Sequence, residues 1–202
     1  MNKILVGLIL GIVVCLGIIF DFFDMFMSVA LLVGIYELID NYFKETCRKE
    51  EILIGFGLFV LIITGEIISS KVLKVKELIF VLIIVIISDV FQEFSGKYFG
   101  KNKIGWISPN KTYEGYIGGY IGILIIYFIN IHFKKKKYNF IDLNLIYIFG
   151  ILGDLFFSYI KRKIGIKDYS EILLSHGGVL DRLDAFFISV LGYGLYKIIL
   201  DL

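Results

Sequence analysis

YIGGYIGILIIYFINI, Tyr116–Ile131, runs its whole length without a charged side chain. Such a run finds its solvent in lipid, and six more apolar segments accompany it: Ile4–Phe20, Met25–Ile39, Ile52–Ile68, Leu78–Ile87, Leu143–Phe157 and Ala185–Leu200. Several fall short of the ~20 residues that cross a hydrocarbon core, so their ends are expected to shift or the spans to tilt. In lipid every backbone polar group needs an internal partner, and the alternating pattern of a membrane barrel is absent, which leaves helices. Composition agrees: 58% hydrophobic residues and a mean hydropathy of +0.84 exceed the roughly 45–50% apolar content of soluble domains. The expectation is an all-α, polytopic membrane helix bundle of about seven transmembrane helices, one domain over residues 1–202. The N-terminal run lacks a small-residue cleavage pattern before Asp21 and Asp24 and reads as a retained first span.

The formal net charge is only +2, and the basic residues are scattered among apolar segments rather than gathered in a stripe, so no nucleic-acid partner is expected. Cys15 and Cys47 have neither metal-ligand spacing nor the number of a disulfide framework. Two stretches, 89–115 and 158–184, stand out as loops rich in Lys, Asp, Gly and Ser. Two spans separate them, so both are expected on one membrane face, where they can share a site. With the N-terminus inside, that face holds most Lys and Arg, which points to a multi-pass cell-membrane protein with its site toward the cytoplasm. The run Lys134–Lys137 then falls outside, against that rule.

The chemistry concentrates in GDLFFSYIKRKIGIKDYSEILLSHGGVLDRLDA, Gly153–Ala185. Asp154 opens it inside an apolar helix, where a carboxylate is costly unless paired, metal-bound or facing a polar cavity. Asp154, Ser158 and Lys161 or Arg162 follow helical spacing, which sets acid, hydroxyl and cation on one face. An interhelical ion pair is the structural alternative for Asp154. Further on, His176-Gly177-Gly178 precedes Asp181-Arg182-x-Asp184; two glycines let backbone come close to a ligand just before a group of acids. Carboxylates beside Lys and Arg are the ingredients of Mg²⁺ with phosphate. His176 suits a proton donor or phosphate contact, and equally a loop-ordering hydrogen bond.

At these residues the chain resembles the phosphatidate cytidylyltransferases, or CDP-diglyceride synthases. Their pattern S-x-x-K-R-x4-K-D, then H-G-G-x-x-D-R-x-D, is met by Ser158, Lys161, Arg162, Lys167, Asp168, His176, Gly177, Gly178, Asp181, Arg182 and Asp184. SPNKTYEGYIGG, Ser108–Gly119, is similar to the family's S-P-x-K-T-W-E-G-x-x-G-G, with Tyr113 in place of Trp. A weaker match runs from Asp89 through Gly96, Lys97, Phe99, Gly100 and Lys103. It departs at Val90, Phe91, Gln92 and Glu93, read as an altered turn, and Leu174-Ser175 replaces the family's Pro-Gly. The resemblance covers roughly 30–200, and the helices that longer members carry at their N-terminus are not matched.

The resemblance implies Mg²⁺-dependent transfer of CMP from CTP to phosphatidic acid in the lipid bilayer, giving CDP-diacylglycerol and pyrophosphate. Asp154 and Asp181 match the family's metal-binding acids. Lys161, Arg162, Lys167, Asp168, His176, Arg182 and Asp184 are then the reaction-centre residues, and Asp89, Ser108, Lys111, Thr112, Glu114, Ser158, Gly177 and Gly178 contact substrate. A second cation and a homodimer follow from the family, not from these residues. For Lys111 and Glu114 loop-ordering contacts are an equal alternative. The rivals are a cytidylyltransferase for an ether-lipid or polyprenyl phosphate, an ion transporter using acids such as Asp154 and Glu66, and an inactive relative kept for assembly.

Overall fold

The computed structural model describes residues 17, 22–43, 49–105, 107–132, 138–170, 172 and 177–201. Six helices run through them: α1 (Phe23–Phe43), α2 (Lys49–Val72), α3 (Val75–Phe99), α4 (Tyr113–His132), α5 (Phe140–Ile164) and α6 (Leu180–Asp201). Four of them, α3 to α6, are long and apolar enough to cross a membrane, and α2 contains a shorter apolar stretch, Leu53–Gly65. The 25 residues of α3 reach about 37 Å at 1.5 Å per residue, against a hydrocarbon core of roughly 30 Å. The expected bundle of membrane helices is thus present. The count of seven is not reached among the described residues, and the expected span Ile4–Phe20 lies outside them but for residue 17, as do Lys134–Lys137 entirely.

α3 shows why these helices belong in lipid. It buries Leu78, Val81, Leu82, Ile84, Val85 and Ser88 along one face, yet the opposite face carries Ile83, Ile86 and Val90, all about half exposed. A surface helix of a water-soluble protein would place charge there. Elsewhere Leu53 is 74% exposed and Phe128 65%, so large apolar side chains line the outside as well as the core.

The chain divides into two compact units, residues 1–64 with 160–184, and residues 65–159 with 185–202. In the second unit α3 packs on α4 through glycine. Gly115, Gly118, Gly119 and Gly122 are buried on one face of α4. A Cβ at Gly119 would stand 2.5 Å from Gln92 Cγ and 3.1 Å from the Ser88 carbonyl oxygen, and one at Gly122 would stand 2.8 Å from Phe91 Cγ. Small residues let the two backbones approach, the usual solution where lipid supplies no hydrophobic drive between helices. Tyr147 on α5 donates to the Tyr116 carbonyl of α4, and Ser189 on α6 donates to the Ile146 carbonyl of α5 at 3.0 Å. In the first unit, Leu180 at the start of α6 packs against Gly34 of α1.

Helix continuation corrects the two expected loops. Residues 89–99 belong to α3, 158–164 to α5 and 180–184 to α6, so the connections shrink to 100–112 and 165–179. Val90–Glu93 is accordingly mid-helix and no turn. Polarity marks where a helix leaves lipid, whereas its end is set by capping: Gly100 closes α3, donating its N–H to the Gly96 carbonyl at 3.1 Å.

Candidate functional site

The connection 100–112 is a pinned hairpin. Lys103 and Thr112 form an antiparallel bridge; the Ile104 N–H donates to the Lys111 carbonyl, and the Tyr113 N–H to the Asn102 carbonyl, both at 3.0 Å. Gly105 takes φ +87° near its tip. Ser108 is buried and its carbonyl accepts the Lys111 N–H at 3.1 Å. Thr112 caps α4, its hydroxyl accepting the Gly115 N–H at 3.1 Å. Glu114 orders the hairpin, since its carboxylate accepts the Asn102 N–H at 3.2 Å and the Asn102 carboxamide at 2.7 Å. The hairpin delivers Lys111 to α5, where its ammonium pairs with the Asp154 carboxylate. That pair resolves the cost of an acid in an apolar helix. Ser158 follows one turn later, half-buried, while Asp89 sits exposed on α3 and accepts from Gln92.

The other group belongs to the first unit. α5 ends on Gly165 at φ +82°, with the Ile166 N–H donating to the Lys161 carbonyl at 2.9 Å and the Gly165 N–H to the Arg162 carbonyl at 3.2 Å. This is a Schellman closure, which turns the chain sharply and lets Arg162 reach the Ile166 carbonyl at 3.3 Å. Lys161 points inward. Its ammonium donates to Asp181 Oδ1 at 2.6 Å and lies 5.4 Å from the Tyr169 ring centre. Asp181 Oδ2 accepts the Tyr169 N–H at 2.8 Å and the Gly178 N–H at 2.9 Å. One carboxylate therefore ties α5, the connection and α6 together.

Sequence reasoning missed the carboxylate on the other side of this turn. Glu37 of α1, only 1% exposed, accepts from the Ser170 hydroxyl at 2.6 Å, the Val179 N–H at 2.8 Å and the Leu180 N–H at 2.9 Å. The last two are donors that a helix N-terminus leaves unpaired, so Glu37 caps α6 from a different helix. One turn along, Asn41 donates to the Tyr169 carbonyl and to that of Glu37, the latter at 2.8 Å. A lone acid in an apolar run, the signal used for Asp154, would have found it. The glycines also change meaning. Gly177 adopts φ +81°, and a Cβ at Gly178 would stand 2.6 Å from Glu37 Oε2. The N–H groups of residues 178–180 face carboxylates, so anion binding here falls to side-chain cations. Arg162, Lys167, Asp168 and Arg182 are exposed, whereas Asp184 is buried. His176 lies outside the described residues. Among the described residues no three His, Cys, Asp or Glu side chains converge as a ready-made metal cage.

Long apolar helices with outward apolar faces, and in each unit a lysine–carboxylate pair joined to a short polar connection, define a multi-pass membrane protein with polar groups at helix ends. The comparison with known proteins makes this specific: the chain belongs to the cytidylyltransferase family, whose model matches residues 1–199. The phosphatidate cytidylyltransferase of Haemophilus influenzae is 41% identical over 122 residues, 56% of this chain and 42% of that protein. Proteins of the same name from Helicobacter pylori and Staphylococcus haemolyticus are 41% identical over 122 residues and 42% identical over 115. These matches cover 57% and 54% of this chain and 44% of each relative, so less than half the length of each of the three relatives is spanned.

Proposed function

We propose that this chain transfers CMP from CTP to phosphatidic acid, releasing pyrophosphate and leaving CDP-diacylglycerol in the cell membrane. The observation that carries the reading is the Lys161–Asp181 pair at the Schellman turn, with Arg162, Lys167 and Arg182 exposed around it. These are the residues through which the sequence resembles phosphatidate cytidylyltransferases. A phosphatidate oxygen forms the new bond to the α-phosphorus of CTP while the bond from that phosphorus to the bridging oxygen of the β-phosphate breaks. The nucleophile is already an anion, so no strong base is required, and holding two anions in line is the main task. Arg162 offers a planar fork to two phosphate oxygens, and Lys167 and Arg182 neutralise charge. The acyl chains stay in the bilayer.

Mg²⁺ commonly binds through one or two carboxylates plus substrate phosphates and water rather than in an all-protein cage. The acids fit that habit taken singly: Asp154, beside Lys111, and Asp181, beside Lys161, are the carboxylates that the family resemblance assigns to the metal. When bound it would neutralise charge on the triphosphate. The polar connections are read as facing the cytoplasm, where CTP is made. The deciding assay is purified protein with labelled CTP, Mg²⁺ and phosphatidic acid, with ether-lipid and polyprenyl phosphates in parallel. CDP-diacylglycerol and pyrophosphate in equal amounts are expected; labelled product from another lipid alone would transfer the assignment to that lipid, and none from any would end it. Orientation is read with cysteines at Lys103 and Lys163 in a background lacking Cys15 and Cys47; both should label from the cytoplasmic side.

A further inference from the structure

We infer that Glu37 is a positioning residue for this reaction, setting the phosphate-gripping segment from a helix that carries none of the matched motifs. The inference rests on the function proposed above. Glu37 is anchored to both ends of the segment, to Ser170 near its start and to Val179 and Leu180 at its close. Asn41 adds a hold on the Tyr169 carbonyl, next to the N–H that Asp181 accepts. The cations Lys167 and Arg182 stand just outside these anchor points, and Lys161 reaches the same turn through Asp181. Releasing Glu37 therefore frees the backbone that carries them.

Gly178 is the second half of the device. The Glu37 carboxylate occupies the space that any side chain at 178 would need, 2.6 Å from a built Cβ. The glycine is explained by close approach of a carboxylate, not of a ligand. The two positions should consequently be coupled: Gly178→Ala harms the parent, yet adds little once Glu37→Ala has emptied the space.

The test uses the full chain in lipid nanodiscs, with two readouts. In Glu37→Gln, whose amide nitrogen turns a donor toward donors, hydrogen–deuterium exchange across 169–181 should quicken about tenfold or more. The KM for CTP should rise about tenfold, because misplaced cations grip the triphosphate poorly; loss of folded protein would lower the rate and leave KM alone. Should Glu37→Gln not be recovered, Glu37→Asp keeps the charge but withdraws it by one methylene, and a KM rise of about threefold is expected. Unchanged exchange, an unchanged KM, or a Gly178→Ala penalty equally large in the parent and in Glu37→Ala would each overturn the inference. A parent that forms no CDP-lipid would overturn the proposed function instead, and the exchange readout would still judge Glu37.

Discussion

Asp181→Asn looks like a clean probe of a metal-binding carboxylate, but the structure predicts that it also weakens the fold. The carboxylate is 5% exposed and accepts three hydrogen bonds, from Lys161 on Oδ1 and from Tyr169 and Gly178 on Oδ2. A carboxamide has one acceptor oxygen, so its better orientation keeps the two N–H groups and turns its own NH₂ toward Lys161. That strands an ammonium whose side chain is 11% exposed. Removing one partner of a buried ion pair costs about 3–5 kcal/mol. The Tyr169 ring 5.4 Å away still attracts the ammonium, which places the cost near 3 kcal/mol, the low end of that range. For a chain of this size that lowers the melting temperature by roughly 6–12 °C. The assay is thermal unfolding in detergent, with turnover of labelled CTP measured alongside. Adding Lys161→Met removes the stranded charge, so the double variant should regain most of the stability and none of the activity. An Asp181→Asn protein melting within about 2 °C of the parent, or a double variant no more stable than the single, would refute the reasoning.

Gly119→Ala should destabilise by about 1–3 kcal/mol, since its Cβ meets Gln92, Tyr147 and the Ser88 carbonyl, whereas Gly57→Ala, with open space around it, should melt no lower than the parent. Arg162→Lys keeps the charge but loses the fork and should reduce turnover about tenfold, with Lys163→Arg near neutral; equal effects would mean that bulk surface charge is what this segment supplies.

Helix identity was legible because the apolar runs are long, and six of the seven expected segments fall inside the observed helices. Helix ends were less so. Asp89 to Phe99 reads as loop by polarity, yet a helix continues wherever its i to i−4 bonds are kept, and nothing before Gly100 breaks them. The Gly153–Ala185 motif was legible as chemistry, and Lys161 with Asp181 does form a pair, but the spacing could not say which lysine would meet which acid. Lys111 with Asp154 joins a hairpin to a helix 43 residues away, a distance set by folding alone. Glu37 carried the same lone-acid signal as Asp154, but its partners lie 133 to 143 residues on, so the sequence could flag the acid and not what it holds. Gly178 was noticed for the freedom of its backbone, when the structural need is for the absence of its side chain.

The glycine face of α4 also bears on the order in which the protein assembles during synthesis. α3 and α4 are consecutive, and their contact needs nothing made later than His132, so this hairpin can close in the bilayer while α5 is still in the ribosome. Lys111 is then already fixed at its base, waiting for Asp154 to be inserted. The Val179 turn follows the opposite schedule: Glu37 is made early, and the Val179 and Leu180 N–H groups it accepts come only with the start of α6. Truncation before Val179 should therefore leave the α3–α4 pair intact and Glu37 exposed as a mark of unfinished assembly.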